Sequence, residues 1–501
     1  MQPGFRVGPL VFLLVLCFCH GFAQNLEQLP PVLKDVYTGQ DSALSFVFTA
    51  LDFRQQEIKK PQKYANCVQI FDADISWPPR WYYAIPFVRN DSAKQIPAID
   101  AVGDARFQHG YFTFSRVKKE LGKNKGNADG MAGYLICNQK MQPFDTAKSV
   151  PANTIDPHDF RINERGERLL MANMDTVLDI SKASGNPADT AVIASVSVIE
   201  ILDSTNKLIF RWNSAAMLGA NTVYYPDLGT RTYFKQKHMD WSHGTAALWD
   251  SDGDILYSLR YVGVGKISRQ DGHVIWRLDR RNMPSVAGTD TVEFYAQHDL
   301  EAISDTGDYN YYSLFSDGRW PDHLAAAVTF KVNKLSHEIK PVNKLLPDEP
   351  MVSGGAGNYE AYENGSYLLS YGQYPQKDST EKYHYFMELR DRHEKVRVKY
   401  QLPALVFTYK VHRVTNERPP RPLISGSKTT LQATGDMSDW TWYRLSGANN
   451  TTVQKVSEGE TFAPKEYGWY CVAGKYGIGW SVSKPFLFDD SLGNKKLKNK
   501  K

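Results

Sequence analysis

Residues 243–256 read His243-Gly-Thr-Ala-Ala-Leu-Trp-Asp-Ser-Asp-Gly-Asp-Ile-Leu256, with apolar segments on either side of a polar turn at Gly253. A tight Asp-Gly turn between apolar segments is typical of a β-hairpin. The same order of polar start, glycine turn and apolar strand begins at three other places: His158 with Gly166, His298 with Gly307, and Asn358 with Gly365. We therefore predict four hairpins built on one plan.

A second kind of hairpin follows each of the first kind. Its four copies occupy residues 201–210, 266–276, 330–339 and, more weakly, 389–398. Two successive hairpins make a four-stranded antiparallel sheet, and repeating such sheets around an axis gives a β-propeller. The first hairpins start 55 to 85 residues apart, which leaves room for long loops between strands.

The composition agrees with an all-β chain. Aromatic residues make up 13% of the 501 residues, and 36 Gly and 26 Pro favour strands and turns over long helices. The formal net charge is +4, but the last eleven residues hold five Lys and no acid. The body of the chain is therefore close to neutral, and we expect no nucleic-acid partner.

Both ends of the chain are predicted to be special segments. Arg6, the apolar run 10–19 and Ala23 are typical of a secretory signal peptide at residues 1–23, and this run is too short for a membrane span. We expect an exported protein, secreted or periplasmic, without a transmembrane segment. The Lys-rich residues 491–501 are predicted to be a disordered basic tail.

We predict two folded domains between these ends. The propeller occupies residues 24–415, and a proline-rich linker ending at Pro422 precedes a small β-sandwich at 423–490. Within it, the spacing of Glu466, Gly468 and Tyr470 is similar to the tyrosine corner of immunoglobulin-like domains, with Val472 in place of the usual Cys. A divergent last blade is the alternative for this segment.

Three cysteines remain after the signal segment: Cys67, Cys137 and Cys471. They allow at most one internal disulfide, so a disulfide scaffold is excluded. A Cys67–Cys137 bridge and free buried thiols both fit the sequence.

The repeats predict a functional site. The starts of the innermost propeller strands face the central channel, and His158, His243 and His298 take equivalent places in three repeats. Arg260 ends the hairpin that begins at His243, and a permanent cation beside several His suits an anionic group. The structural alternatives are that His-Asp pairs cap turns and that Arg260 forms a salt bridge.

These segments resemble the arylsulfotransferase family over about residues 150–410. The resemblance is carried by Pro157-His-Asp-Phe160, Trp241-Ser-His243, Gln297-His-Asp299 and Gly357-Asn358 with Asn364-Gly365. It implies a six-bladed propeller that transfers a sulfuryl group from a phenolic sulfate ester to a phenolic acceptor, without metal or other cofactor. The route it implies is ping-pong, through a sulfohistidine.

The resemblance also implies residue roles. His298 is the nucleophile, and His158, His243 and Arg260 hold the sulfuryl oxygens, with one of these two His as acid or base. Thr245 stands where family members often carry Asn, and with Asn358 it is expected to contact substrate. The expected partners are a small aryl sulfate and a phenol, and the oligomeric state stays open.

Two other functions fit the same pattern. Three channel His can hold a divalent metal, as in a metal-dependent propeller lyase. A non-catalytic propeller that binds glycan or protein at the cell surface is the second. Imidazoles more than about 10 Å apart would favour the binding protein, because they could not share one bound group.

Overall fold

A computed structural model of the chain describes residues 26–37, 44–52, 64–74, 77–85, 99–119, 133–149, 153–222, 238–279, 292–318, 324–349, 351–372, 382–414, 418–448 and 451–493. The predicted signal peptide and residues 494–501 of the predicted tail lie outside these ranges. Helices are confined to α1 (Ser181–Ser184), α2 (Ser214–Leu218) and three 3-10 turns (Leu26–Gln28, Ala220–Thr222 and Asp490–Gly493) in the described part. Strands dominate, which confirms the all-β prediction.

The strands of the first half, in chain order, are β1 (Leu33–Tyr37), β2 (Ser45–Asp52), β3 (Cys67–Asp72), β4 (Trp81–Ala84), β5 (Ile99–Gln108), β6 (Tyr111–Lys119), β7 (Gly133–Cys137), β8 (Pro143–Ala147), β9 (Thr154–Ile162), β10 (Arg168–Leu178), β11 (Val192–Leu202), β12 (Leu208–Asn213), β13 (His238–Asp240), β14 (Gly244–Trp249), β15 (Ile255–Leu259), β16 (Gly263–Ile267) and β17 (Val274–Asp279). Those of the second half are β18 (His298–Thr306), β19 (Tyr309–Ser316), β20 (Ala326–Asn333), β21 (Ile339–Leu345), β22 (Asn358–Ala361), β23 (Tyr367–Ser370), β24 (Tyr383–Arg390), β25 (Val396–Pro403), β26 (Val406–Arg413), β27 (Leu423–Gly426), β28 (Leu431–Thr434), β29 (Ser438–Leu445), β30 (Val453–Glu458), β31 (Thr461–Phe462), β32 (Gly468–Tyr476), β33 (Gly479–Val482) and β34 (Phe486–Phe488).

Successive strands form antiparallel sheets, as the two hairpin patterns predicted. Four sheets have the orders β5–β8, β9–β12, β14–β17 and β18–β21, with β13 added in parallel to β11. A fifth contains β22–β25 and takes β1 at its outer edge. In the next, β26 pairs with β2, and the sheet continues through β3 and β4. One sheet is thus assembled from both ends of the ring.

The first strands of these sheets form a closed, propeller-like ring. Strands β5, β9, β14, β18, β22 and β26 contact one another in this order, and β26 returns to β5. Aromatic and aliphatic side chains fill the space between neighbouring sheets; Trp212, for example, stacks on Tyr257 at 5.1 Å between ring centroids. This arrangement brings the starts of distant repeats to one axis.

Buried polar side chains connect neighbouring inner strands. Asp159 of β9 accepts from the backbone N–H of Ala247 in β14 at 3.2 Å, and Asp299 of β18 accepts from Tyr359 in β22 at 3.2 Å. The aspartates that follow His158 and His298 are therefore structural, but not as the local turn caps that the capping interpretation predicted. They act between sheets rather than within one turn.

The segment after residue 418 forms two sheets around a core of its own. Strands β27, β28 and β31 form the smaller sheet, while β29, β30 and β32–β34 join the ring's sheet through the β33–β4 pair. Trp442 and Val472 are buried in the core between them. Tyr470 donates from its hydroxyl to the Glu466 carbonyl at 2.7 Å, a bond of the kind that a tyrosine corner makes.

The three described cysteines are buried and free, so no Cys67–Cys137 bridge is present. Burial raises the pKa of each thiol to about 12. These thiols are small apolar core groups rather than reactive ones.

Candidate active site

Three imidazoles meet in the ring, as the repeats predicted. His158 lies on β9, His298 begins β18, and His243 immediately precedes β14. The ring of His158 has centroid distances of 5.0 Å to His243 and 5.9 Å to His298. One ring nitrogen of each lies within 4.8 Å of the others. All three can therefore contact one small group.

Each of these imidazoles has a carboxylate at Nδ1. The pairs are His158 with Asp156, His243 with Asp240, and His298 with Asp317. A carboxylate only accepts, so it holds the proton on Nδ1 and leaves Nε2 for another partner. Asp156 and Asp240 lie two and three residues before their His, whereas Asp317 is separated from His298 by 19 residues and follows no local pattern.

His298 is the most enclosed of the three, with 1% of its side chain exposed. Burial, followed by the positive charge of Arg260 and the other two His, holds its pKa well below the ordinary value of 6.5. Nδ1 lies 3.0 Å from Asp317, and the Ala356 N–H donates to Nε2 at 3.2 Å. His298 is thus a neutral imidazole whose Nε2 lone pair faces a donor.

His158 shares this neutral tendency. Burial lowers its pKa, and the carboxylate of Asp156 opposes that shift. His243 is the most accessible of the three imidazoles, with 26% of its side chain exposed. It adopts a backbone φ of 50°, a conformation uncommon for a residue other than glycine, at the point where β14 begins.

Arg260 is both a salt-bridge partner and a member of the cluster. Its Nη2 lies 3.1 Å from Asp317, and its backbone N–H donates to the His243 carbonyl at 2.8 Å. Asp317 therefore bridges Arg260 and His298. The two interpretations of Arg260 drawn from the sequence are compatible, because the ion pair holds the guanidinium beside the imidazoles.

The two expected substrate contacts have other partners. Thr245 is buried and its hydroxyl lies 2.8 Å from that of Ser258. The Asn358 amide donates to the Val411 carbonyl at 2.7 Å and accepts from the Val411 N–H at 2.8 Å. Both side chains use their polar atoms in the sheet framework, and their contact with substrate stays a prediction.

A sequence model of the family described as arylsulfotransferase (ASST) matches residues 132–389, more than half of the chain. The chain belongs to the arylsulfotransferase family. The matched segment contains the three His, Arg260 and the bridging Asp317. No curated protein matches the chain.

Solved structures similar to the chain share little sequence with it. A Bacteroides caccae protein of unknown function has a TM-score of 0.42 and 10% identity, and the match covers 74% of this chain and 100% of that one. The β-propeller domain of Myceliophteria thermophila Cps50 (Swd1) has a TM-score of 0.29 and 11% identity, and the match covers 68% of this chain and 95% of that one. BamB from Moraxella catarrhalis has a TM-score of 0.26 and 7% identity, and the match covers 87% of this chain and 97% of that one.

Two tyrosines, which the sequence did not single out, flank the imidazoles of this family member. The ring of Tyr409 lies 4.9 Å from that of His158, and the ring of Tyr261 lies 5.6 Å from that of His243. Burial raises the pKa of Tyr409 well above its ordinary value, so its hydroxyl stays protonated. Tyr409 lies on β26, outside the matched segment, and only ring closure brings it to the cluster.

A layer of buried charge lies next to the imidazoles along the same inner strands. Lys410 Nζ is 2.8 Å from Asp299, and its positive charge also disfavours protonation of His298. Farther along these strands is a cavity of about 300 Å³ whose charged lining residues are Arg106, Arg161, Glu301, Glu360, His412 and Arg413. The imidazoles are therefore accompanied by a framework of buried ion pairs, among them Arg161 with Glu301 and His412 with Glu360.

Proposed function

We propose that this chain is an exported, PAPS-independent aryl sulfotransferase that moves a sulfuryl group from a phenolic sulfate ester to a phenolic acceptor through a sulfohistidine on His298. Family membership supports the reaction class. The observation that carries the residue assignment is the state of His298. Its pKa is held low, its Nδ1 faces Asp317, its Nε2 accepts from the Ala356 N–H, and ring nitrogens of the other two imidazoles lie within 4.8 Å of one of its own.

In the first half-reaction, Nε2 of His298 attacks sulfur and the bond from sulfur to the phenolic oxygen breaks. The phenolate leaves with the Nε2 proton of His158 or His243, which must enter this step as an imidazolium because its Nδ1 proton is held by its aspartate. The positive charge that develops on the His298 ring is stabilised by Asp317. Arg260 and the remaining imidazole donate to the sulfuryl oxygens, where charge develops in the transition state.

The second half-reaction reverses these steps with a different phenol. The acceptor hydroxyl gives its proton to the same His, its oxygen attacks sulfur, and the bond from sulfur to Nε2 breaks. His298 returns to its neutral state and no net proton is consumed. Both partners are small molecules, and each half-reaction needs only side chains of this chain.

We also propose that the ring is a six-bladed propeller and that residues 423–490 are an immunoglobulin-like module. The closed circuit of six inner strands supports the first. The two-sheet core and the Tyr470 hydrogen bond support the second. Export rests on the signal-like residues 1–23. Among the described residues, no helix is long and apolar enough to span a membrane.

The imidazole distances argue against a non-catalytic binding propeller. That function was expected to separate the three rings by more than about 10 Å. Centroid distances of 5.0 and 5.9 Å place them in reach of one sulfuryl group instead.

The test is transfer from 4-nitrophenyl sulfate to phenol, followed by release of 4-nitrophenol and by mass spectrometry of phenyl sulfate. His298→Ala should lower kcat by at least about 10³-fold, since the covalent route is lost. The matched control is His273→Ala, because His273 is an exposed imidazole paired with Asp271 outside the cluster. Donor alone should leave one sulfuryl group on a His298 peptide; full activity of His298→Ala would overturn the assignment.

A further inference from the structure

The three imidazoles have the spacing of metal ligands. Tetrahedral zinc with Zn–N bonds of about 2 Å places the centroids of two ligating imidazoles roughly 5 Å apart. The His158 ring lies 5.0 Å from that of His243 and 5.9 Å from that of His298. The ring nitrogens lie within 4.8 Å of one another. Tetrahedral zinc brings ligating nitrogens to about 3.3 Å, so the side chains must rotate toward one another to close a three-nitrogen site.

The surroundings of the imidazoles also suit a cation. Imidazoles that ligate metals usually donate their other nitrogen to a carboxylate, and all three do so here. Three carboxylates against the single guanidinium of Arg260 leave the site with an excess of negative charge when the imidazoles are neutral. A divalent ion would reduce that excess.

We propose that His158, His243 and His298 also form a binding site for a divalent transition metal, Zn²⁺ first, and that the bound ion excludes the aryl sulfate. Three protein ligands leave one tetrahedral position open to water or a small anion. The ion would take the lone pair of His298 that attacks sulfur in the proposed reaction. Zn²⁺ would therefore act as a reversible inhibitor, competitive with the sulfate donor.

Two contacts limit the affinity. The Ala356 N–H occupies Nε2 of His298 at 3.2 Å and must be displaced by the ion. Arg260 repels a cation, and its contacts with Asp317 at 3.1 Å and the Gly354 carbonyl at 3.4 Å hold the guanidinium beside the imidazoles. We therefore expect micromolar, reversible binding rather than a permanent structural metal.

The test is titration of the full chain, without a polyhistidine tag and freed of metal by EDTA and dialysis. Isothermal titration with ZnCl₂ should show one site, and CoCl₂ should give the visible absorption of four-coordinate Co²⁺. His243→Ala should weaken Zn²⁺ binding by about 100-fold or more, and Asp240→Asn by about 10- to 100-fold. His273→Ala and Asp271→Asn are matched controls that change an exposed pair and should leave binding unchanged.

Each outcome decides the proposal. No binding, or equal binding by wild type and His243→Ala, would overturn the metal site. If His243→Ala fails to give the wild-type circular dichroism spectrum, Asp240→Asn decides instead. Binding without competitive inhibition of transfer would overturn the exclusion of the donor. That last measurement rests on the proposed function, whereas the titrations stand even if the chain transfers no sulfuryl group.

Discussion

Asp317 connects an imidazole, His298, with a permanent cation, Arg260. One carboxylate oxygen lies 3.0 Å from Nδ1 of His298, and the other lies 3.1 Å from Arg260. With 1% of its side chain exposed, it is shielded from water, so both interactions are strong. Asp317 thereby sets the tautomer of the proposed nucleophile and positions Arg260, the cation proposed to bind the sulfuryl group.

Asp317→Asn should lower kcat about 10²- to 10⁴-fold with a smaller effect on KM. An amide that turns its N–H₂ toward Nδ1 favours the wrong tautomer and no longer balances the charge on the ring. Steady-state kinetics with 4-nitrophenyl sulfate measure this split. Asp271→Asn, at the exposed His273 pair, is the control; equal kcat for wild type and Asp317→Asn would contradict the positioning role.

The acid limb of the pH profile should lie below the ordinary pKa of imidazole. In the proposed reaction His298 attacks as the neutral base. Burial, with the charge of Arg260, holds its pKa well below 6.5. Lowering the pH from about 7 to about 6 therefore leaves the nucleophile unprotonated. NMR titration of ¹⁵N-labelled histidine measures its protonation without assuming activity, and a His298 transition at or above pH 6.5 would contradict the assignment.

The sequence repeats predicted that three imidazoles would lie close together, and this is confirmed. His158, His243 and His298 hold equivalent repeat positions, so ring closure alone brings them together. Asp317 and the Ala356 amide follow no repeat: each comes from a segment that packs against His298 in three dimensions. Thr245 and Asn358 also hold repeat positions near the channel, but their hydrogen-bond partners were not predicted. A position near the channel does not determine which partner a polar side chain takes.

At the scale of elements, the inner strands are held in register by side chains as well as by packing. The Asn358 amide makes two hydrogen bonds to Val411, which join β22 to β26. The glycines in the hairpin turns predicted where the chain reverses direction. They could not predict such links between sheets, because a link depends on which strand becomes the neighbour after ring closure.

Asn358→Ala should destabilise the ring and leave KM for the donor unchanged. The substitution leaves the buried N–H and carbonyl of Val411 without partners. Each of these two unsatisfied groups costs about 1–3 kcal/mol of stability. Urea unfolding measures the stability and initial rates measure KM. A raised KM at unchanged stability would restore the substrate-binding role expected from the sequence.

At the scale of the whole molecule, the C-terminal segment has a core of its own and also contributes to a core of the ring. Tyr443, Cys471 and Val482 of that segment pack with Phe46 and Tyr82 from the first strands of the chain. The proline-rich linker contacts both parts of the molecule. Its Arg421 lies 3.0 Å from Asp72 in β3 and donates to the Val482 carbonyl in β33 at 2.7 Å. Composition predicted a linker there, but it could not show that Arg418 and Arg421 connect it to Ser45 and Asp72 of the ring.

We therefore expect the full chain to unfold in one cooperative transition, with equal calorimetric and van't Hoff enthalpies. Arg421→Ala should lower the Tm of that single transition, because it removes one of the buried partners of Asp72, at a cost of about 2–4 kcal/mol. Lys484→Ala is the control, since Lys484 is exposed and 3.6 Å from Asp74. Differential scanning calorimetry distinguishes the outcomes: two transitions, with only the smaller one shifted by Arg421→Ala, would mean that the C-terminal segment folds independently of the ring.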